Sequence, residues 1–297
     1  MTSNNVFWPE APAAMVHLQR FADEPAQPST LLDCYKRIRS ATGNKFSSDH
    51  DFFSALCEAA ALLANQLTYL MACTRNPFYD YNLEQVHARA IRAETVLASL
   101  GKREDVIAGA AEFIGILVAL QTSGYRDYLG ELFHSLELHN SARGQFFTPN
   151  SVSTLMGGMT MSTEEVRQRL YDCDDYVEVA DVCGCGAGSM LLGALSHVSP
   201  LYHRNIFLTG VDIDPRCIHM CAVQFFAVPA PTCFFHYDGL LLTPQSQYPV
   251  WANPAYFLQS MRLRAKRKHE REARSLSTAG GHVNQLRAIL RANLGSF

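Results

Sequence analysis

The chain changes its period at residue 177, and that change restricts the fold more than any other feature of the sequence. Up to about residue 140 apolar residues recur at spacings of three and four, the period of a helix. From Val177 onward, short β-rich runs alternate with helical ones. Val177 to Val182 reads as a strand that ends at Gly184-Cys185-Gly186-Ala187-Gly188, and Ser189 to Ser196 as the helix it feeds. Ile206 to Asp212 reads as a second strand. It is followed by a helix from Pro215 through Phe226, because proline suits a first helical turn. Thr232 to Tyr237 and the short Val250 to Ala252 complete the set. Such alternation implies a parallel sheet with ligands at the carboxyl ends of its strands. The predicted class is α/β, with a Rossmann-like core behind an all-α N-terminal domain.

Within the helical part, residues 1 to about 30 are expected to be irregular, broken by Pro9, Pro12, Pro25 and Pro28, with Ser29 or Thr30 capping the first helix. Phe52 to Leu63, Leu83 to Leu100 and Ile107 to Leu120 carry helical apolar spacing. His87, Arg89 and Arg92 are expected on solvated helix faces. The resulting division is a helical domain over 1–140, a core over 141–257, and a basic, amphipathic extension over 258–297.

Hydrophobic residues make up 48% and the net charge is −3, values that exclude no globular class. The charge is uneven: Arg262 to Arg274 holds seven Lys/Arg against two Glu, leaving 18 basic and 26 acidic residues elsewhere. An acidic body does not attract DNA over its whole surface, whereas a basic helix can grip phosphates. Nine cysteines are an odd number set mostly in apolar segments, which points to reduced core thiols. Neither Cys183-x-Cys185 nor Cys217-x3-Cys221 has the spacing of a structural zinc site, so no metal is expected. With no secretory leader and no uninterrupted apolar run of about 18 residues, the expectation is a soluble cytoplasmic protein without a membrane span.

The chemistry concentrates at the predicted strand ends. Glycines at 184, 186 and 188 suit a sharp turn that lets a ligand approach the backbone. Asp212 ends the second strand, where a carboxylate can accept both ribose hydroxyls of a nucleoside; Asp238 ends the third, within reach of an adenine amino group. A helix cap and a turn former are the plain alternatives for these two. No Lys-Ser/Thr pair follows the glycines, which favours a nucleoside-like ligand such as S-adenosylmethionine over a triphosphate. Asn253-Pro254-Ala255-Tyr256 then suggests methylation of an exocyclic amine. The Asn253 side-chain oxygen and the Pro254 carbonyl can each accept one amine N–H, drawing the lone pair out of conjugation, while Tyr256 stacks on a flipped-out base.

Asp127-Tyr-Leu129-Gly130-Glu-Leu-Phe133, followed by Gly144-Gln-Phe-Phe-Thr148-Pro149, resembles the modification subunits of type I restriction systems and related N6-adenine DNA methyltransferases. The resemblance covers roughly residues 125–257. It implies that Phe146, Thr148 and Pro149 contact S-adenosylmethionine, that Gly186 and Gly188 line its methionine end, and that Asp212 and Asp238 hold ribose and adenine, with Asp181 and Gly184 also in the cofactor-binding set. Asn253, Pro254 and Tyr256 would be the catalytic set, and DNA and a specificity subunit the partners.

The sequence departs from that pattern in three ways. Ala255 replaces the second proline of the family's Asn-Pro-Pro-Tyr/Phe, Asp181 stands one residue further upstream of the glycines, and 40 residues follow Phe257 where the family places three strands and a recognition region. These departures motivate a second reading, a catalytically impaired methyltransferase-like protein that binds cofactor, DNA or a restriction-modification subunit and completes its sheet with another chain. Methylation of a glutamine side chain, which poses the same electronic problem, is the third.

Overall fold

The computed structural model describes residues 11–23, 26–75, 83–138, 147–172, 176–240 and 250–268. Its contacts divide the chain into two compact units, Met1–Phe257 and Leu258–Phe297. The first unit opens with α1 (Ala11–Ala22), α2 (Pro28–Ala41), α3 (Asp49–Arg75), α4 (Leu83–Leu100) and α5 (Arg103–Ser123), followed by α6 (Tyr128–Ser135), α7 (Asn150–Thr160) and α8 (Thr163–Tyr171). Helix α1 corrects the expected irregularity before residue 30. Pro12 stands in its first turn, where the missing N–H would have had no intrahelical partner. Helix α2 begins at Pro28, so Thr30 lies inside its first turn, where its hydroxyl accepts the Gln27 N–H at 3.2 Å.

Helices α3 and α5 are long and apolar enough to cross a membrane, yet most of each is buried inside the protein. In α5 apolar side chains point all round, the composition of a helix enclosed by its neighbours rather than one with a wet face.

The sheet contains β1 (Val177–Asp181), β2 (Ile206–Asp212), β3 (Thr232–His236) and β4 (Val250–Ala252) in that spatial order. Helix α9 (Ser189–Ser196) joins β1 to β2 and α10 (Pro215–Gln224) joins β2 to β3, so these three strands are parallel, as helical crossovers require. Here the expected all-parallel sheet fails. Strand β4 pairs antiparallel with β3, placing Cys233 opposite Ala252 and Phe235 opposite Val250. Among the described residues β1 and β4 are therefore the two outer strands.

The expected domain boundary at residue 140 is not a seam. One buried cluster runs from Phe52, Leu56 and Phe113 in the helical part to Ala187, Cys217, Met220 and Val223 beside the sheet. A shared core of this kind makes one cooperative unit. On the other side, α7 and α9 meet through facing glycines. A Cβ at Gly157 would strike the Gly193 carbonyl, and a Cβ at Gly193 would strike the Ser153 carbonyl. Because both obstacles are backbone, Gly193→Ala is expected to cost about 2 kcal/mol through forced helix separation, measurable as a lower urea midpoint. An unchanged midpoint would show that the helices can separate freely.

Candidate cofactor site

The carboxyl ends of β1, β2 and β3 gather most of the predicted cofactor residues. Gly184, Gly186 and Gly188 have φ of 110°, 55° and 87°, a left-handed run that an L side chain resists and that turns β1 sharply into α9. Space is tight as well: a Cβ on Gly188 would lie 2.5 Å from the Phe225 ring, and one on Gly186 3.1 Å from Phe147. The loop is stitched to the second strand. The Cys185 N–H donates to the Val211 carbonyl at 2.9 Å, and the Gly186 N–H donates to Asp212 Oδ2 at 2.8 Å.

Asp212 also accepts the Asp214 N–H through Oδ1 at 2.8 Å. Each oxygen thus has one backbone donor and the Cys217 thiol is a third; a carboxylate accepts about four hydrogen bonds, which leaves capacity for about one hydroxyl. Burial pushes the Asp212 carboxyl up, against the pull of its two backbone donors, and burial raises Asp181 likewise, with Asp212 itself adding to the rise. Two carboxylates at adjoining strand ends, both disfavoured as anions, form a set that gains from hydroxyl donors. Asp238 accepts the Leu240 N–H at 3.0 Å, which is the turn-forming role weighed against adenine binding.

The Thr-Pro segment packs against the glycine turn and α9. Phe147 is buried against the glycine turn, the Thr148 carbonyl accepts the Ser189 hydroxyl at 3.1 Å, and Pro149 leads into α7. Phe146 lies outside the described residues.

Asn253, Pro254 and Tyr256 are elsewhere. Since β4 runs antiparallel, Asn253 reaches the amino end of β3, where its N–H donates to the Thr232 carbonyl at 3.2 Å and its Oδ1 accepts the Thr232 N–H at 3.1 Å. Its amide nitrogen faces the carbonyls of Phe225, Val228 and Ala230 at 3.0, 3.0 and 2.9 Å. Oδ1 also accepts the Tyr256 N–H at 2.9 Å, which makes Asn253 the cap of a helix that Pro254 begins. The Tyr256 ring meets Phe207, at the start of β2, at 6.0 Å. From Phe207 to Asp212 is a rise of about 16 Å. The predicted catalytic set and the predicted cofactor set are therefore at opposite ends of the sheet.

Residues 126–247 match the family model of the N-6 DNA methylases. That segment is similar to the N-6 DNA methylases, which is consistent with an N6-adenine DNA methyltransferase family, and the mixed α/β architecture fits a methyltransferase-like fold. The match takes in the glycine turn, Asp212 and Asp238 and ends before Asn253. N-6 DNA methylases generally use S-adenosylmethionine, and the methylase segment here holds the glycine run and paired carboxylates that a nucleoside cofactor needs. No curated protein matches the chain.

Two features went unread in the sequence. Arg89, expected on a wet face, is buried and stacks on Trp251, with 4.1 Å from guanidinium carbon to ring centroid. Gln224 ties three elements together: it donates to Asp127 at 2.9 Å and to the Ala187 carbonyl at 2.7 Å, and accepts the Leu129 N–H at 3.0 Å. In the second unit, residues 258–268 are helical, with Arg262, Arg264, Lys266, Arg267 and Lys268 exposed. The rest of the basic stretch and the stripe of Val283, Leu286, Leu290 and Leu294 lie outside the described residues.

Proposed function

We propose that this chain is a methylase-like protein that binds S-adenosylmethionine at the carboxyl ends of β1, β2 and β3 but, with β4 antiparallel, does not itself transfer the methyl group. Its role is then regulatory or anti-restriction, exercised on DNA or on a restriction-modification subunit. The observation that carries this reading is the saturated Asn253 side chain. An amide nitrogen facing three carbonyls and an oxygen accepting two backbone N–H groups has nothing left to offer an incoming amine.

Bound there, S-adenosylmethionine supplies an electrophilic methyl on a sulfonium. Asp212 and Asp181 would receive hydroxyl donors, the glycine turn would admit the close approach of the methionine end, and Phe147 to Pro149 would cover the turn. The second reading is an active N6-adenine DNA methyltransferase acting on a flipped base, with Asn253, Pro254 and Tyr256 in the catalytic roles. It is favoured by the family match and by the order of the motifs along the chain.

Calorimetry with S-adenosylmethionine, run beside transfer of labelled methyl to unmethylated duplex and single-stranded DNA, separates the two. Binding is expected, weakened at least about tenfold in Asp212→Ala, with no transfer to either DNA. Transfer would overturn the proposal in favour of the enzyme, and absence of binding would remove its cofactor half.

A further inference from the structure

A cavity of about 280 Å³ lies among α3, α4, α10 and β4, and no residue of the cofactor site lines it. Its charge does not balance. Glu58 and Arg92 form a bidentate pair, with nitrogen to oxygen distances of 2.5 and 2.8 Å, and cancel. Arg89 is different: it is 7% exposed, and what acts on it is the Val250 carbonyl at 2.8 Å, the Tyr69 hydroxyl and the Trp251 ring, none of them a carboxylate. Its Nη1 is buried with no hydrogen-bond partner. Burial without a counter-ion pulls the Arg89 guanidinium down to about 10, and burial holds the His219 imidazole neutral, down to about 4. His236, the remaining titratable group on the wall, sits with its Nε2 3.0 Å from the Ile213 carbonyl. Among the described residues on the wall, Arg89 is thus a cation that no carboxylate faces.

A buried, unpaired cation with an orphaned donor is costly unless a ligand or partner compensates it. Apart from Gln85, the remaining walls are apolar, formed by Leu62, Ala88, Pro215, Ile218 and the indole of Trp251. We propose that this cavity binds a small organic monoanion, a carboxylate on a flat apolar body, with Arg89 holding the carboxylate. A single negative charge neutralises the site; a dianion such as phosphate would add uncompensated charge beside Glu58 and leave the apolar walls unfilled. The site adds to the cofactor reading and does not depend on it.

The test uses the full chain, benzoate as probe, benzamide as its neutral isostere and inorganic phosphate as the dianion, followed by calorimetry and by quenching of Trp251 fluorescence. Benzoate is expected to bind at least about tenfold more tightly than either competitor. In Arg89→Gln the preference over benzamide should fall to within about twofold, while Arg89→Lys keeps part of it because the charge remains. Should Arg89→Gln fail to fold, the comparison of ligands on the unmutated protein still decides. Equal binding of benzoate and benzamide, binding of neither, or tighter binding of phosphate would overturn the assignment.

Discussion

Asn253→Ala is expected to destabilise the protein by about 4 kcal/mol, because truncation strands several buried groups at once and each costs on the order of 1–3 kcal/mol. The Thr232 N–H would lose its acceptor, and the carbonyls of Phe225, Val228 and Ala230 would lose their donor at the turn between α10 and β3. The helix begun by Pro254 would lose its cap as well, since the Tyr256 N–H bonds to the same oxygen. Asn253→Asp should be no milder. It keeps the acceptor, but sets a second oxygen against three carbonyls where a donor stood. Urea denaturation followed by circular dichroism measures both variants. A residue reserved for substrate would behave oppositely, with the alanine variant keeping its midpoint and losing only methyl transfer. An unchanged midpoint would therefore sink the structural role of Asn253 and, with it, the argument against catalysis.

How far the sequence predicts this arrangement depends on which physical signal is local. The glycine turn was legible because left-handed backbone at 184, 186 and 188 demands glycine whatever surrounds it. Strands β1 to β3 and the helices between them were legible from alternation, and α4 from its period, down to its Leu83 and Leu100 ends. Strand direction carries no such signal. Three residues, Val250 to Ala252, read the same for either orientation, and only pairing with β3 fixes it. The reading of Asn253 rests on the Asn-Pro-x-Tyr motif, although Asn-Pro is equally the start signal of a helix, as an N-cap followed by a first-turn proline. Arg89 was missed for a related reason. A charged residue on an amphipathic helix is normally wet, and nothing local says that Trp251, distant in sequence, will stack on it.

The second large effect is a stability that rises with pH in Asp127→Asn where that of the unmutated protein is nearly flat. Asp127 caps α6 and is almost fully enclosed. Its Oδ1 accepts the Gly130 N–H at 2.7 Å and the Gln224 amide at 2.9 Å, while its Oδ2 is buried without a partner. Burial, aided by Glu131 and opposed by those two donors, pushes its carboxyl up to about 6 from 3.8. A raised carboxyl binds its proton more tightly folded than unfolded, so folding is favoured below 3.8 and loses roughly 3 kcal/mol as pH rises through 6. His219 has the opposite slope. Its imidazole is held down to about 4, so the unfolded chain takes up the proton first, and stability gained on raising pH from 4 to 6.5 is likewise roughly 3 kcal/mol. In the unmutated protein these two slopes largely cancel between pH 4 and 6. Asparagine keeps the oxygen that caps α6 and receives Gln224, removes the buried charge, and leaves the His219 slope exposed. Urea midpoints taken at intervals from pH 4 to 8 should show Asp127→Asn the less stable by about 1 kcal/mol at pH 4, where Asp127 is protonated when folded and only the buried amide N–H counts. They should show Asp127→Asn the more stable by about 1–2 kcal/mol at pH 8, the same constant cost of the buried amide N–H now being outweighed by the charge removed. A difference that does not change with pH would mean that Asp127 ionises in the folded protein as readily as in the unfolded chain. The enclosed junction of α6, α10 and the glycine turn would then have to admit water to its carboxylate.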